Sequence, residues 1–142
     1  MKKILMFLLT LILVSCGASS TKNTEKKPLF EVLSQQADGG ASIRFFEILT
    51  EPNEIKMLQN DPKLKRKIKP NDIQTSNYIV FNLGEKTSGG YSIRIESALE
   101  TDKNIIINVK EMVPEPSGMA TQEITHPFCV VKINSKKGII IK

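Results

Sequence analysis

Tryptophan is absent from this chain, histidine occurs once and cysteine twice, and these scarcities remove most catalytic designs. A zinc site needs several ligands, usually histidines and cysteines, so the lone His126 cannot build a multi-histidine centre within one chain. No serine or cysteine sits in a nucleophile elbow, no glycine-rich loop precedes a helix, and no carboxylates are paired in a motif. His126 stands before Pro127, where a turn residue fits better than a ligand or a base. The expectation is a protein that is not an enzyme, with no cofactor, no metal and no small-molecule substrate. Long apolar runs are lacking too. The stretch from Ile4 to Val14 has 11 residues, against the roughly 20 a membrane-spanning helix requires.

That stretch is instead the middle of an export signal, preceded by Lys2 and Lys3 and followed by small residues. Its end, Leu13-Val14-Ser15-Cys16, resembles a bacterial lipobox, in which the Cys16 thiol receives a diacylglycerol and becomes the first mature residue. The alternative is a plain secretory signal with a chance cysteine. Each buried methylene contributes roughly 0.8 kcal/mol and one acyl chain binds only reversibly. The two or three palmitate-like chains that such lipoproteins carry would hold the protein on a membrane without spanning it. The expected location is the cell envelope, lipid-anchored and extracytoplasmic, on the periplasmic face or the cell surface. Chromosomal nucleic acid is then out of reach as a partner.

Cleavage before Cys16 leaves 127 residues, enough for one domain with a real core. The organisation expected is a signal peptide at 1–15, a lipid-anchored tether at 16–28 and a single β-rich domain at 29–142. Residues 17–28 hold no large apolar side chain and cannot offset their ordering entropy, so they read as a flexible tether with a reach of about 20 Å. With Cys16 committed to lipid, Cys129 has no intramolecular partner and reads as a small buried hydrophobe. The mature chain carries 18 basic against 15 acidic side chains. Much of the excess lies in Lys63-Leu64-Lys65-Arg66-Lys67-Ile68-Lys69. It reads as a solvated loop between two prolines, or as a contact for anionic headgroups or polyanions.

The remainder is punctuated in the manner of short strands. Leu29 to Ser34 and Ser42 to Leu49 are apolar-rich runs separated by the turn signal Asp38-Gly39-Gly40. Thr50-Glu51-Pro52 opens one short helix capped by Thr50, with Ile55 and Leu58 facing the core. Ile79, Phe81 and Leu83 share one face, as do Tyr91, Ile93 and Ile95, and then Ile105, Ile107 and Val109, the signature of half-buried antiparallel strands. Gly84 to Gly90 reads as a hairpin connection. Further strands are expected near Ala120 to Ile124, Phe128 to Ile133 and Ile139 to Ile141. The fold class is mainly β: a small antiparallel β-sandwich or open barrel with one short helix. The string Gly39-Gly40-Ala41-Ser42-Ile43-Arg44 is echoed by Gly89-Gly90-Tyr91-Ser92-Ile93-Arg94, as a common glycine-turn solution or as a duplication.

Glu85-Lys86-Thr87-Ser88-Gly89-Gly90-Tyr91-Ser92-Ile93-Arg94-Ile95 resembles the central signature of the PrcB C-terminal domain family. Met112-Val113-Pro114-Glu115-Pro116, Thr121 to Phe128 and Val130 to Ile133 resemble its later blocks in the same order. The sequence departs from the family pattern in having no proline near Thr87 and no tryptophan in its helix. The resemblance implies a non-catalytic lipoprotein subunit whose partner is a protease or its complex, held on the membrane through lipid on Cys16. It implies a partner-binding surface at Thr87, Ser88, Gly89, Gly90 and Tyr91, with His126, Pro127 and Phe128 beside them. Tyr91 and Phe128 serve equally well as core residues, with the glycines only turning the chain. The loop also looks like the wedge of a chagasin-type immunoglobulin-like protease inhibitor, and a structural envelope lipoprotein without a protease partner is a third reading.

Overall fold

The structure is a computed structural model describing residues 27–142. The expected signal peptide, the lipid-receiving Cys16 and most of the expected tether lie outside the described residues.

Among the described residues, seven strands form two separate sheets. β1 (Phe30–Gln36), β2 (Phe45–Leu49), β3 (Asn77–Asn82) and β6 (Phe128–Ile133) make an antiparallel sheet in the order β1-β6-β3-β2. β4 (Ser92–Glu100), β5 (Asn104–Met112) and β7 (Gly138–Ile141) make the second, in the order β4-β5-β7. The architecture is sandwich-like and no closed barrel forms. Two sequence expectations change here. β7 runs parallel to β5, with Ile105 beside Ile139 and Ile107 beside Ile141. The segment from Gly84 to Gly90 is no hairpin, because β3 and β4 belong to different sheets and the chain crosses between them.

The central strands explain the layering. Along β6, Cys129, Val131 and Ile133 point to the second sheet and meet Ile79, Phe81, Ile93, Ile105 and Ile107 in the inter-sheet core. The alternate residue Val130 joins Tyr78 and Leu33 on the other face. That face is covered by helices, so β3 and β6 are buried on both sides, which is why Asn77-Tyr78-Ile79-Val80-Phe81-Asn82 is almost continuously inaccessible. Burial pushes the Cys129 thiol up to about 11, as befits a packed hydrophobe.

The covering layer contains three short helices among the described residues, where the sequence suggested one: α1 (Pro52–Leu58), α2 (Pro62–Lys65) and α3 (Asp72–Thr75). Ile55 is buried and Leu58 packs at the edge of the same cluster, as their spacing predicts. The N-cap of α1 is Glu51 rather than Thr50, and the Glu54 carboxylate accepts from the backbone N–H groups of both at 3.1 Å. The basic stretch is a loop only in part: its first three residues close α2, and residues 66–69 form the turn that follows. Asp61 caps α2 by accepting from the Lys63 N–H at 2.8 Å, and Leu64 and Ile68 are driven into the core four residues apart. The expected strand at Ala120 to Ile124 is also absent, its only ladder contact being an isolated bridge between Lys86 and Thr125.

The echoed glycine strings adopt different structures. The left-handed residue is Gly39 in the first copy and Gly90 in the second, and Ile43 is exposed in a bend while Ile93 is buried in β4.

Candidate protein-binding site

Strand ends place three loops together at one end of the sandwich. β3 ends at Asn82 directly opposite Phe128, where β6 begins, and β1 ends at Gln36 beside the same residue. The crossing segment after β3 therefore meets the segment leading into β6. Lys86 and Thr125 exchange backbone hydrogen bonds at 2.8 and 3.0 Å. The Thr125 hydroxyl donates to the Ser88 carbonyl at 2.9 Å, and the Gly89 N–H to the Thr121 carbonyl at 3.0 Å. The third loop, after β1, is tied down by buried Asn82. Its Oδ1 accepts from the Ala41 N–H at 2.9 Å, while its Nδ2 donates to the Ala41 and Ile43 carbonyls at 2.8 and 2.6 Å.

The structure thus sets the Thr87–Tyr91 segment against Thr121 and Thr125, next to His126 in the chain, and separates the members of the sequence-derived site by exposure. Thr87 and Gly90 face solvent, and Ser88 and Gly89 are half-covered. Gly90 has φ +90°, and a Cβ there would sit 2.9 Å from the Pro114 Cβ, so turn geometry and close approach both require glycine. A Cβ on Gly89 would lie 2.5 Å from the Thr121 hydroxyl. Tyr91 packs against the inter-sheet core with the Lys86 ammonium 5.0 Å from its ring centroid. Pro127 is buried and half-covered Phe128 packs against the helical-side core.

His126 is half-buried and acts as a latch between loops. Its Nδ1 lies 3.0 Å from the Asp38 carboxylate, which also accepts from the His126 backbone N–H at 2.8 Å. The hydrogen bond to the His126 ring, then those from the Gly39 and His126 backbones, hold the Asp38 carboxyl below its usual range. The Ser42 hydroxyl stands 3.5 Å from His126 Nε2, so the three residues follow the order of a nucleophile, base and orienting carboxylate. Ser42 and Asp38 are open to water, however, and the Glu85 carboxylate also lies 3.8 Å from Nε2. The interactions serve the loop junction.

A second electrostatic knot fixes the same end. Glu111 at the end of β5 accepts from Lys86 at 2.9 Å and from Arg44 at 2.6 Å. Burial works against its charge, but the two hydrogen-bonded cations outweigh it and hold the carboxyl below its usual range.

Sequence reasoning passed over the most exposed apolar side chains here. Met119 is fully exposed, and Val113 and Ile124 are 66% and 59% exposed. A shallow groove of about 350 Å³ runs between Gly89, Gly90, Pro114, Glu115, Met119 and Thr121. The signal was present in the proline- and glycine-rich stretch Pro114 to Gly118, which ends β-pairing and leaves the apolar residues around it without a ladder. Reading Ala120 to Ile124 as a strand hid them. A rim of backbone turns with protruding apolar side chains is the kind of surface that buries against another protein.

With this geometry established, similarity to known families becomes informative. Residues 77–134 match the family model described as PrcB C-terminal. The matched segment opens with β3 and closes just past β6. It contains both halves of the candidate site together with Val113, Met119 and Ile124. That family is associated with the regulation of protease complexes. Strands β1, β2 and β7 and the helical layer lie outside the matched residues. Comparison with curated proteins and with solved structures gave no match.

Proposed function

We propose that this chain is a non-catalytic lipoprotein subunit that binds an extracytoplasmic protease or protease complex and supports its assembly or regulation. The observation that carries the reading is the placement of exposed Val113, Met119 and Ile124 on the segment that matches the PrcB C-terminal family, at the loop end of the sandwich. Lipidation at Cys16 belongs to the same proposal. Phe30 and Asn77 both lie against Ile133, at the end of the first sheet away from Phe128 and the loops. A strand of seven residues, as β1 is, covers about 20 Å. An anchor upstream of Leu29 therefore leaves the loop end displaced from the attachment point and open to a partner.

Capture from detergent-solubilised native envelopes, read by mass spectrometry, tests the function. Enrichment of a protease subunit supports it. Enrichment of other envelope proteins alone leaves a structural lipoprotein. If the captured protease loses activity in the complex, the loop acts as an inhibitory wedge through Thr87 to Tyr91. Cys16→Ala should release the protein from membranes washed at high salt, and retention there would contradict the anchor.

A further inference from the structure

We propose that the flank formed by β1, α2 and the turn leading to α3 is a docking surface for an anionic lipid bilayer. The proposal takes its membrane from the lipoprotein reading above, but the surface is argued from its own residues. Lys63, Lys65, Arg66, Lys67 and Lys69 are all exposed, while Leu64 and Ile68 between them are buried. The core contacts of those two side chains turn the cations away from the core, with the Lys63 and Lys67 ammonium groups reaching across to β1. Among the described residues none of the five cations has a carboxylate within ion-pair distance. The acids nearby are differently engaged: Asp61 caps α2 and Asp72 pairs with Lys132, which leaves Glu31 beside Lys67 and Lys69. Without the five cations the mature chain would hold 13 basic against 15 acidic side chains. The excess positive charge of the molecule is therefore concentrated on this one flank.

The distribution suits a surface rather than a point ligand. The cations run alongside the whole of β1. The Lys63 ammonium donates to the Gln36 side chain at 3.3 Å at one end, and Lys69 lines a cavity with Lys27 and Lys132 at the other. A groove of about 610 Å³ lies between β1 and Lys63, Arg66 and Lys67. An acidic peptide adding as a strand is disfavoured there, because β1 is bulged between Val32 and Ser34 and the Lys67 ammonium occupies the Leu33 carbonyl. The chain towards Cys16 leaves from this same flank at Lys27, next to Lys67 and Lys69. Cys16 stands eleven residues before Lys27, so an anchor there ties the chain to the membrane on the side of this flank. Clustered cations on that side are attracted to anionic lipid and released by salt. The domain would lie with its strands along the membrane and its loop end at the rim.

The test uses the full chain carrying Cys16→Ala, which cannot be acylated, and phosphatidylcholine vesicles with and without phosphatidylglycerol. The apolar segment at 4–14 is common to all arms and cancels in the comparison. The chain should prefer the anionic vesicles, and raised salt should abolish the preference. K65E/R66E/K69E alters only exposed side chains and should cut the anionic partition at least about tenfold, while K65R/K69R should retain it. An unchanged preference in the charge-reversed chain overturns the proposal, as does capture of an acidic protein by this flank without vesicle preference. Mass spectrometry of Cys16 in the natural chain reports on the anchor separately, so failure of one reading is not failure of the other.

Discussion

The Asp72 carboxylate at the start of α3 lies 2.9 Å from the Lys132 ammonium of β6, both side chains more than nine-tenths buried. Burial alone would raise the Asp72 pKa, but the Lys132 hydrogen bond and the Lys69 backbone N–H hold it below its usual range. The pair is what fastens the helical layer to the sheet at this point. Asp72→Ala leaves a buried ammonium uncompensated and should cost about 3–5 kcal/mol. Adding Lys132→Met should recover much of that loss. Urea denaturation of the single and double variants checks both.

Tyr78 in β3 is fully buried and its hydroxyl has no hydrogen-bond partner among the described residues. An unpaired buried hydroxyl costs about 1–3 kcal/mol of desolvation. Tyr78→Phe should leave thermal stability unchanged or raise it, a sign opposite to that of most core substitutions.

Asn82 holds the loop after β1 through three hydrogen bonds to residues 41 and 43. Asn82→Ala leaves those backbone groups unpaired and should cost about 2–3 kcal/mol. Gly40→Ala should act at the same place, since its Cβ would fall 2.2 Å from the Asn82 side-chain oxygen. Amide exchange at residues 40–44 should accelerate in both variants while β5 stays protected.

Glu111 gives the expected acid response. Its folded pKa is depressed, so its contribution is present above the unfolded value of about 4.3 and is lost as pH falls through the lower folded value. Glu111→Gln should be less stable than wild type at pH 7, and the gap should close in acid. Denaturant midpoints followed from neutral pH to about pH 3 read this directly.

The two-sheet core was legible because period-two alternation at Ile79/Phe81, Ile93/Ile95 and Ile105/Ile107 survives in a sandwich. The helical layer was not. α2 and α3 have four residues each, too short for a helical period to emerge, and the cations of α2 masked Leu64 and Ile68. The three isoleucines of β7 announce a strand but not its partner, so the parallel pairing with β5 depended on the fold. At the site, the sequence grouped the Thr87–Tyr91 and His126–Phe128 segments, and the Lys86–Thr125 bridge pairs the residues just before each of them. It weighted the aromatic residues, three-dimensional packing claims Tyr91 and Phe128, and the side chains left outward are Met119 and its neighbours. Gly89→Val would displace Thr121 and so probes loop packing rather than contact.

The most direct measurement is therefore a side-by-side capture from native envelopes with wild type, V113E/M119E and L99E. Leu99 is also exposed but sits in β4 opposite Ile106, away from the loop end at Ser92 and Met112. A protease subunit retained by wild type and L99E but lost from V113E/M119E is the predicted result. Equal retention by all three chains would contradict the placement of the binding surface on these loops.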